Sequence, residues 1–214
     1  MALLDIINDY KTGFKEKVPA DIQALMLQAT QNLADTGITL KAPKTGEKLP
    51  EFSLSNPQGN LVTSTELLKN GPLVITFYRG GWCPYCNLEL REYQKHLDEI
   101  KALGATLVAI TPELPDTSLS TSEKNELQFE VLSDVNAEYA KDLGVVFSLP
   151  EELRPIYLSF GINVEEHNGE GQFDLPLAAT FVIKQDGTVA SAFVEADYTL
   201  RQEPSEVIET LKTL

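Results

Sequence analysis

The stretch Leu73-Val74-Ile75-Thr76-Phe77-Tyr78-Arg79-Gly80-Gly81-Trp82-Cys83-Pro84-Tyr85-Cys86 decides how this chain is read. Its first six residues are an apolar, β-branched run that predicts a strand, and Arg79-Gly80-Gly81-Trp82 ends it. Pro84 suits the first turn of a helix, because the N–H it lacks is one that a helix start leaves unpaired anyway. Cys83 therefore falls at a helix N-terminus, where free backbone N–H groups and the macrodipole favour an anion. A thiol there is expected below its ordinary pKa of ~8.5, which makes Cys83 the attacking sulfur. Further along the predicted helix, Cys86, Leu90, Tyr93, Leu97 and Ile100 recur at three- and four-residue steps, so Cys86 belongs to the buried face one turn below Cys83. A second thiol so placed can attack a mixed disulfide or a sulfenic acid on Cys83 and close an intramolecular disulfide.

Upstream, residues 1 to 36 carry apolar positions at helical spacing, and Pro19 divides them into two helices. Lys41 to Pro50 holds two prolines and a glycine and is expected to be an extended, solvated connection. Phe52, Leu54, Leu61 and Val62 flank the turn residues Asn56 to Asn60 and predict a short hairpin. Thr63 and Glu66 form a capping-box pattern for a short helix ending at Asn70-Gly71. Downstream, apolar runs alternate with amphipathic stretches. Strands are expected at Thr106 to Thr111, Glu130 to Leu132, Thr180 to Ile183 and Thr188 to Val194, with helices at Pro84 to Leu103, Ser122 to Leu127, Ala137 to Leu143, Glu151 to Phe160 and Pro204 to Leu211. Asp186-Gly187 signals a hairpin, so the sheet is mixed. The fold class is α/β, a mixed central sheet flanked by helices, with a helical extension and linker over 1–47 and the main domain over 48–214.

With 214 residues and 43% hydrophobic content, the chain has material for one sizeable core. It lacks both a run of ~20 apolar residues and a basic, apolar, small-residue leader, so a soluble, cytoplasmic protein without membrane association is expected. A formal charge of −15 repels nucleic acid and anionic lipid. Only two cysteines are present, which excludes a multi-disulfide scaffold and, in a reducing compartment, points to redox cycling. His96 and His167 fall in no ligand-like spacing, so neither metal nor cofactor is expected. His96 lies roughly 20 Å down the helix from Cys83 at ~1.5 Å rise per residue, too far to act as its base. Arg79 either stabilises the Cys83 thiolate or is a solvated strand-end charge, and Trp82 either shields the sulfur or packs on the sheet. Glu89 and Glu92 are read as a solvated, non-catalytic helix face.

The segment Phe77 to Leu90 resembles the peroxiredoxin-like branch of the alkyl hydroperoxide reductase and thiol-specific antioxidant proteins. Lys48 to Leu54, Val131-Leu132-Ser133-Asp134, Leu143-Gly144-Val145, Ala179 to Ile183 and Asp197 to Arg201 with Glu203-Pro204 extend the resemblance from about residue 48 onward. It implies a thioredoxin-like fold and reduction of hydroperoxides, with Cys83 peroxidatic, Arg79, Trp82 and Thr180 as assisting candidates, and a thioredoxin- or glutaredoxin-like reductant. The family pattern places a proline seven residues and a threonine or serine three residues before the peroxidatic cysteine, where this chain has Thr76 and Gly80. The family arginine before the late strand is absent too, because Ala178 and Ala179 precede Thr180, leaving Arg79 or Arg201 as replacements. The Cys83-Pro84-Tyr85-Cys86 tetrapeptide also resembles glutaredoxin, and Trp82 before it resembles thioredoxin.

The expected function is a thiol peroxidase cycling between the Cys83/Cys86 dithiol and its disulfide. A thiol-disulfide oxidoreductase acting on disulfide substrates is the alternative, and a redox sensor without turnover is a third reading. The N-terminal helices offer a partner surface, a homodimer contact or a cover for the sheet.

Overall fold

The computed structural model describes residues 2–214. Helices α1 (Leu3–Lys17) and α2 (Ala20–Asp35) part at Pro19 as expected, and β1 (Ser53–Ser55) and β2 (Leu61–Thr63) form the expected hairpin. The Thr63 hydroxyl accepts the Glu66 N–H at 3.3 Å and starts α3 (Ser64–Leu68). There follow β3 (Leu73–Phe77), α4 (Pro84–Ala102), β4 (Thr106–Thr111), α5 (Pro115–Lys124), β5 (Glu130–Ser133) and α6 (Glu138–Asp142). The chain continues through β6 (Val146–Ser148), α7 (Arg154–Ser159), α8 (Val164–Asn168), β7 (Asp174–Pro176), β8 (Ala178–Ile183), β9 (Val189–Glu195) and α9 (Pro204–Leu211). The main sheet has the order β2-β1-β5-β4-β3-β8-β9, parallel across β3, β4 and β5 and antiparallel elsewhere, and is therefore mixed. No helix among the described residues is long and apolar enough to cross a membrane.

Strand β3 lies between β4 and β8 and is buried throughout, as a continuous apolar run in the middle of a covered sheet must be. Its side chains alternate between faces. Leu73, Ile75 and Phe77 enter one core with Phe52, Tyr139 and Leu143, while Val74 and Tyr78 enter the other with Leu90, Tyr93 and Leu97 of α4. Thr76 shares the α4 face by the same alternation. Because β8 pairs with β3 in the register Val74↔Val182 and Thr76↔Thr180, a second threonine is placed beside it. Two paired hydroxyls thus lie on the α4 face of the central strands.

Two expectations are corrected. The helix expected at Ser122 to Leu127 runs instead from Pro115 to Lys124: Pro115 occupies its first turn, and the left-handed Glu126 (φ 52°) stops it. Lys41 to Pro50 is extended but not simply solvated, because Ala42 is buried and Gly46 donates to the Val189 carbonyl while Val189 donates to that of Glu47 (both 2.9 Å). The small β6–β7 sheet and α8 lay outside the sequence reading, since three-residue strands carry too little periodicity to register.

Helix α1 packs its Leu3 and Ile7 into the α4 core. Its N-terminus is capped from the far end of the chain: the Glu203 carboxylate accepts the N–H of Leu4 at 2.7 Å and of Leu3 at 3.1 Å. A carboxylate there satisfies two unpaired donors and complements the helix dipole. Glu203→Ala is expected to lower stability by about 1 kcal/mol, by the usual worth of a cap. Hydrogen exchange should locate the loss in the first turn of α1; unchanged protection there would show that the cap is idle.

Candidate active site

Between β3 and α4 the backbone passes through Gly80 and Gly81, and neither position has room for a side chain. A Cβ on Gly80 (φ 154°) would lie 2.2 Å from the Trp82 indole nitrogen, and one on Gly81 would lie 2.1 Å from the Thr121 hydroxyl. The loop is pinned from elements distant in sequence. The Gly81 N–H donates to the buried Glu113 carboxylate at 3.0 Å, which also accepts the Thr121 hydroxyl at 3.2 Å and lies 2.8 Å from His167 Nδ1. The Asn87 amide donates to the carbonyls of Gly81 and Cys83 at 2.8 and 3.0 Å, and Asn125 holds the Asn87 side chain at 2.8 Å. No local sequence signal marks Glu113, Asn125 or His167 for this work, because only the packing of α5 and α8 brings them to the loop.

Cys83 is the N-cap of α4, as expected, and its Sγ accepts the Cys86 N–H at 3.4 Å and Arg79 Nη2 at 3.4 Å. Both cysteines are free thiols with 0% exposure. Burial alone would raise the Cys83 thiol. Hydrogen bonding from Cys86 and the positive charges of Arg79 and Arg201 outweigh it and hold Cys83 well below the ordinary thiol range. Cys86 goes the other way: burial, the hydrogen bond to Cys83 and the Cys83 charge push it well up, against the pull of Arg201 and Arg79. The two sulfurs are thus differentiated into a thiolate above and a thiol below.

Arg79 is buried rather than solvated, at 4% exposure. Its guanidinium lies 4.2 Å from the ring centroid of Tyr198 and 5.2 Å from that of Trp82, and Nη1 donates to the Tyr157 hydroxyl at 3.3 Å. Trp82 covers this arginine and packs edge-on against Tyr157 at 5.7 Å, with its own ring half-buried. Thr180 hydrogen-bonds Thr76 at 3.1 Å; its partner is that hydroxyl and not a thiol.

The solvated reading of Glu89 and Glu92 is overturned. Glu89 is 2% exposed, because its place three residues after Cys86 and four before Tyr93 puts it on the inward face of α4. Its carboxylate lies 2.8 Å from Arg201 Nε, an ionic contact in which the N–H is not aligned on the oxygen, and burial pushes it up to about 7 despite that arginine. Arg201 in turn donates from Nη2 to Cys86 Sγ at 3.3 Å and from Nη1 to the Leu200 carbonyl at 2.8 Å. Glu92 is also buried, with its carboxylate 2.6 Å from Lys95 and 3.8 Å from the partly exposed His96.

Above the start of α4 lies a cavity of about 590 Å³ lined mainly by apolar and aromatic side chains. Tyr10, Gly13 and Phe14 of α1 form one wall, with Trp82, Tyr85 and Tyr198 opposite and Arg79 among the lining. Tyr10 meets Tyr85 edge-on at 5.2 Å, and Tyr85 meets Tyr198 at 5.6 Å. The first N-terminal helix thus packs on α4 and serves as a wall of the site.

A model described as the AhpC/TSA family matches residues 45–192. Chloroplastic peroxiredoxin Q of Gentiana triflora is 27% identical over 170 residues, 79% of this chain and 65% of that protein. Peroxiredoxin Bcp of Escherichia coli strain K12 is 28% identical over 102 residues, 48% of this chain and 65% of that protein. The matches span less than two thirds of the length of these relatives. Among solved structures, peroxidoxin BcpB of Mycobacterium tuberculosis aligns with a TM-score of 0.63 at 22% identity, over 80% of this chain and 98% of that one. The reduced 2-Cys peroxiredoxin of Plasmodium vivax aligns at 0.61 and 17% identity, over 79% and 80% of the two chains. The fold is the thioredoxin-like arrangement of those structures, and with the family model running from before β1 into β9, the chain belongs to the AhpC/TSA family.

Proposed function

We propose that this chain is a thiol peroxidase working through Cys83 and Cys86. The observation that carries the proposal is the Cys83 sulfur, capped by the Cys86 N–H and by Arg79 at 3.4 Å each, with Cys86 fully buried one turn below. The names of the relatives, peroxiredoxin Q and peroxiredoxin Bcp, support it. In this reading the Cys83 thiolate attacks the terminal oxygen of a hydroperoxide and the O–O bond breaks; the departing alkoxide or hydroxide takes a proton from solvent and leaves as alcohol or water, and Cys83 becomes a sulfenic acid. Cys86 then attacks that sulfur and releases water as the disulfide forms. A thioredoxin- or glutaredoxin-like dithiol restores both thiols, which suits a reducing compartment such as the cytoplasm.

The hydroxyl absent at Gly80 has a physical substitute. The indole of Trp82 fills the space a side chain at position 80 would need, and Arg79 supplies a charge-assisted donor to the sulfur instead. Arg79 also lines the aromatic cavity, where it is placed to meet the polar head of a hydroperoxide whose apolar body contacts Tyr10, Phe14 and Tyr85.

Cys83→Ser is expected to abolish thioredoxin-coupled peroxide consumption. Cys86→Ser should consume one equivalent and stall; insulin reduction by wild type without peroxide turnover would select disulfide exchange instead. Arg79→Met removes a cation from the thiolate, so thiolate absorbance should titrate at higher pH than in wild type. The rate of Cys83 oxidation near neutrality should fall about 100-fold, the usual cost of one electrostatic donor; an unmoved titration would remove Arg79 from the site. A Cβ on Gly13 meets nothing within 4 Å, so Gly13→Phe can fill the cavity without disturbing α1. The ratio of kcat/KM for cumene hydroperoxide to that for hydrogen peroxide should then drop about tenfold, within the usual range for a changed apolar contact. A constant ratio would place the substrate elsewhere.

A further inference from the structure

The cycle above leaves one step without a residue to drive it. Cys86 must lose a proton before it can attack, yet it is fully buried, and burial with the hydrogen bond to Cys83 and the Cys83 charge favours its neutral form against the pull of Arg201 and Arg79. The one buried carboxylate on its helix face is Glu89, and the two are joined through a single side chain. Arg201 meets Cys86 Sγ with Nη2 at 3.3 Å and Glu89 Oε2 with Nε at 2.8 Å. Those two nitrogens form one edge of the planar guanidinium, which therefore touches the thiol through a hydrogen bond and the carboxylate through an ionic contact. Positions 86 and 89 are also neighbours on one face of α4 by their three-residue spacing.

We infer that Glu89 is the proton acceptor for Cys86, with Arg201 as the positioning residue that holds carboxylate and thiol on one guanidinium edge. The inference rests on the Cys83/Cys86 cycle proposed above. The Cys86 S–H proton passes to Glu89, the thiolate attacks Cys83 Sγ, the S–S bond forms and the S–O bond of the sulfenic acid breaks. The departing hydroxide takes up one proton and leaves as water, and Glu89 returns to its carboxylate. Throughout the transfer the buried charge is conserved: Arg201 faces one anion before it, on Glu89, and one anion after it, on Cys86. Ionisation of Cys86 to bulk water would instead add a second buried anion beside Glu89, which is the costlier route.

The surroundings set the sign of the pH dependence. Thr76 of β3 presents its hydroxyl to Glu89, and Tyr93, next inward on α4, has a buried hydroxyl that faces Thr180 of β8. Tyr78, after β3, and Arg79 act on Cys86. Glu203 and Glu206, at the start of α9, act on Tyr93 from the far side. The only cation touching Glu89 among the described residues is Arg201. Burial raises Glu89 to about 7, and the Cys83 charge adds to the rise. Once Cys83 is a neutral sulfenic acid that second contribution is gone, so Glu89 should titrate between its ordinary 4.5 and about 7. Its carboxylate form, which accepts the proton, exists above that point; resolution should therefore speed up as pH rises through this window and then level off.

The test loads Cys83 with one equivalent of hydrogen peroxide or, in a parallel arm, with glutathione disulfide, and follows closure of the Cys83–Cys86 disulfide by rapid acid quench and mass. The fluorescence of Trp82, the one tryptophan in the chain, provides a continuous signal. Wild type should show an inflection below about pH 7 with a plateau above it. Glu89→Gln should close at least tenfold more slowly at pH 7.5 and lose the inflection, its rate instead rising tenfold per pH unit as hydroxide becomes the base. A residue needed only for packing would scale the wild-type curve down and keep its shape, which would overturn the inference, as would a wild-type profile with no inflection even if Glu89→Gln failed to fold. Loading by the disulfide but not by peroxide would defeat the peroxidase reading, while the profile of the disulfide arm still decides the role of Glu89.

Discussion

Two arginines buried under one helix start are the constraint around which this site is built. Arg79 and Arg201 are almost without solvent, and a guanidinium does not escape its charge by deprotonating. Each must be balanced where it stands, since an unpaired buried charge costs several kcal/mol. The groups in contact with them that can carry a negative charge at neutral pH are Glu89 and Cys83. The thiolate at Cys83 is therefore an electrostatic component of the core as well as the reactive atom. The arginines hold Cys83 low, while burial raises Glu89 against the pull of Arg201.

The arrangement depends on backbone features that are individually ordinary. A fully buried central strand alternates its side chains, and the antiparallel register with β8 sets Thr76 against Thr180 on the α4 face. Pro84 fixes where α4 begins, which places Cys83 at the free N–H groups and Cys86, Glu89 and Tyr93 inward. From β9 the chain returns past α4 on its way to α9, and that return carries Arg201 to Cys86 and Glu89.

The extremities of the chain close the structure over this centre. Glu203, two residues beyond Arg201, caps α1, and α1 lays Leu3 and Ile7 on the core and Tyr10 beside Tyr85. The aromatic cavity therefore needs both ends of the sequence, including residues outside the span matched by the AhpC/TSA family model. On the other side, Glu113 and Asn125 fix the glycine loop, which allows Trp82 to lie where a side chain on residue 80 would otherwise stand.

The fold was legible in the sequence wherever a local rule was strong. The strand–glycine–cysteine–proline run, the inward spacing of Cys86, Leu90 and Tyr93, the Asp186-Gly187 turn and the break at Pro19 each depend on dihedral preference or on the period of a single element. The attacking cysteine was legible for the same reason, because a helix start is a local object. The spacing of Glu89 puts it inward while its charge argues for solvent, and only a cation from another element makes an inward carboxylate tolerable. Arg79 and Arg201 stand in the sequence as candidate partners of the thiolate, with nothing local to choose between that role and a solvated charge. Their burial, their partners and the division of labour between the thiols arise from side chains more than a hundred residues apart in the case of Arg201 and Cys86, and only the packed tertiary structure brings such charges close enough, with water excluded, to set one another's state.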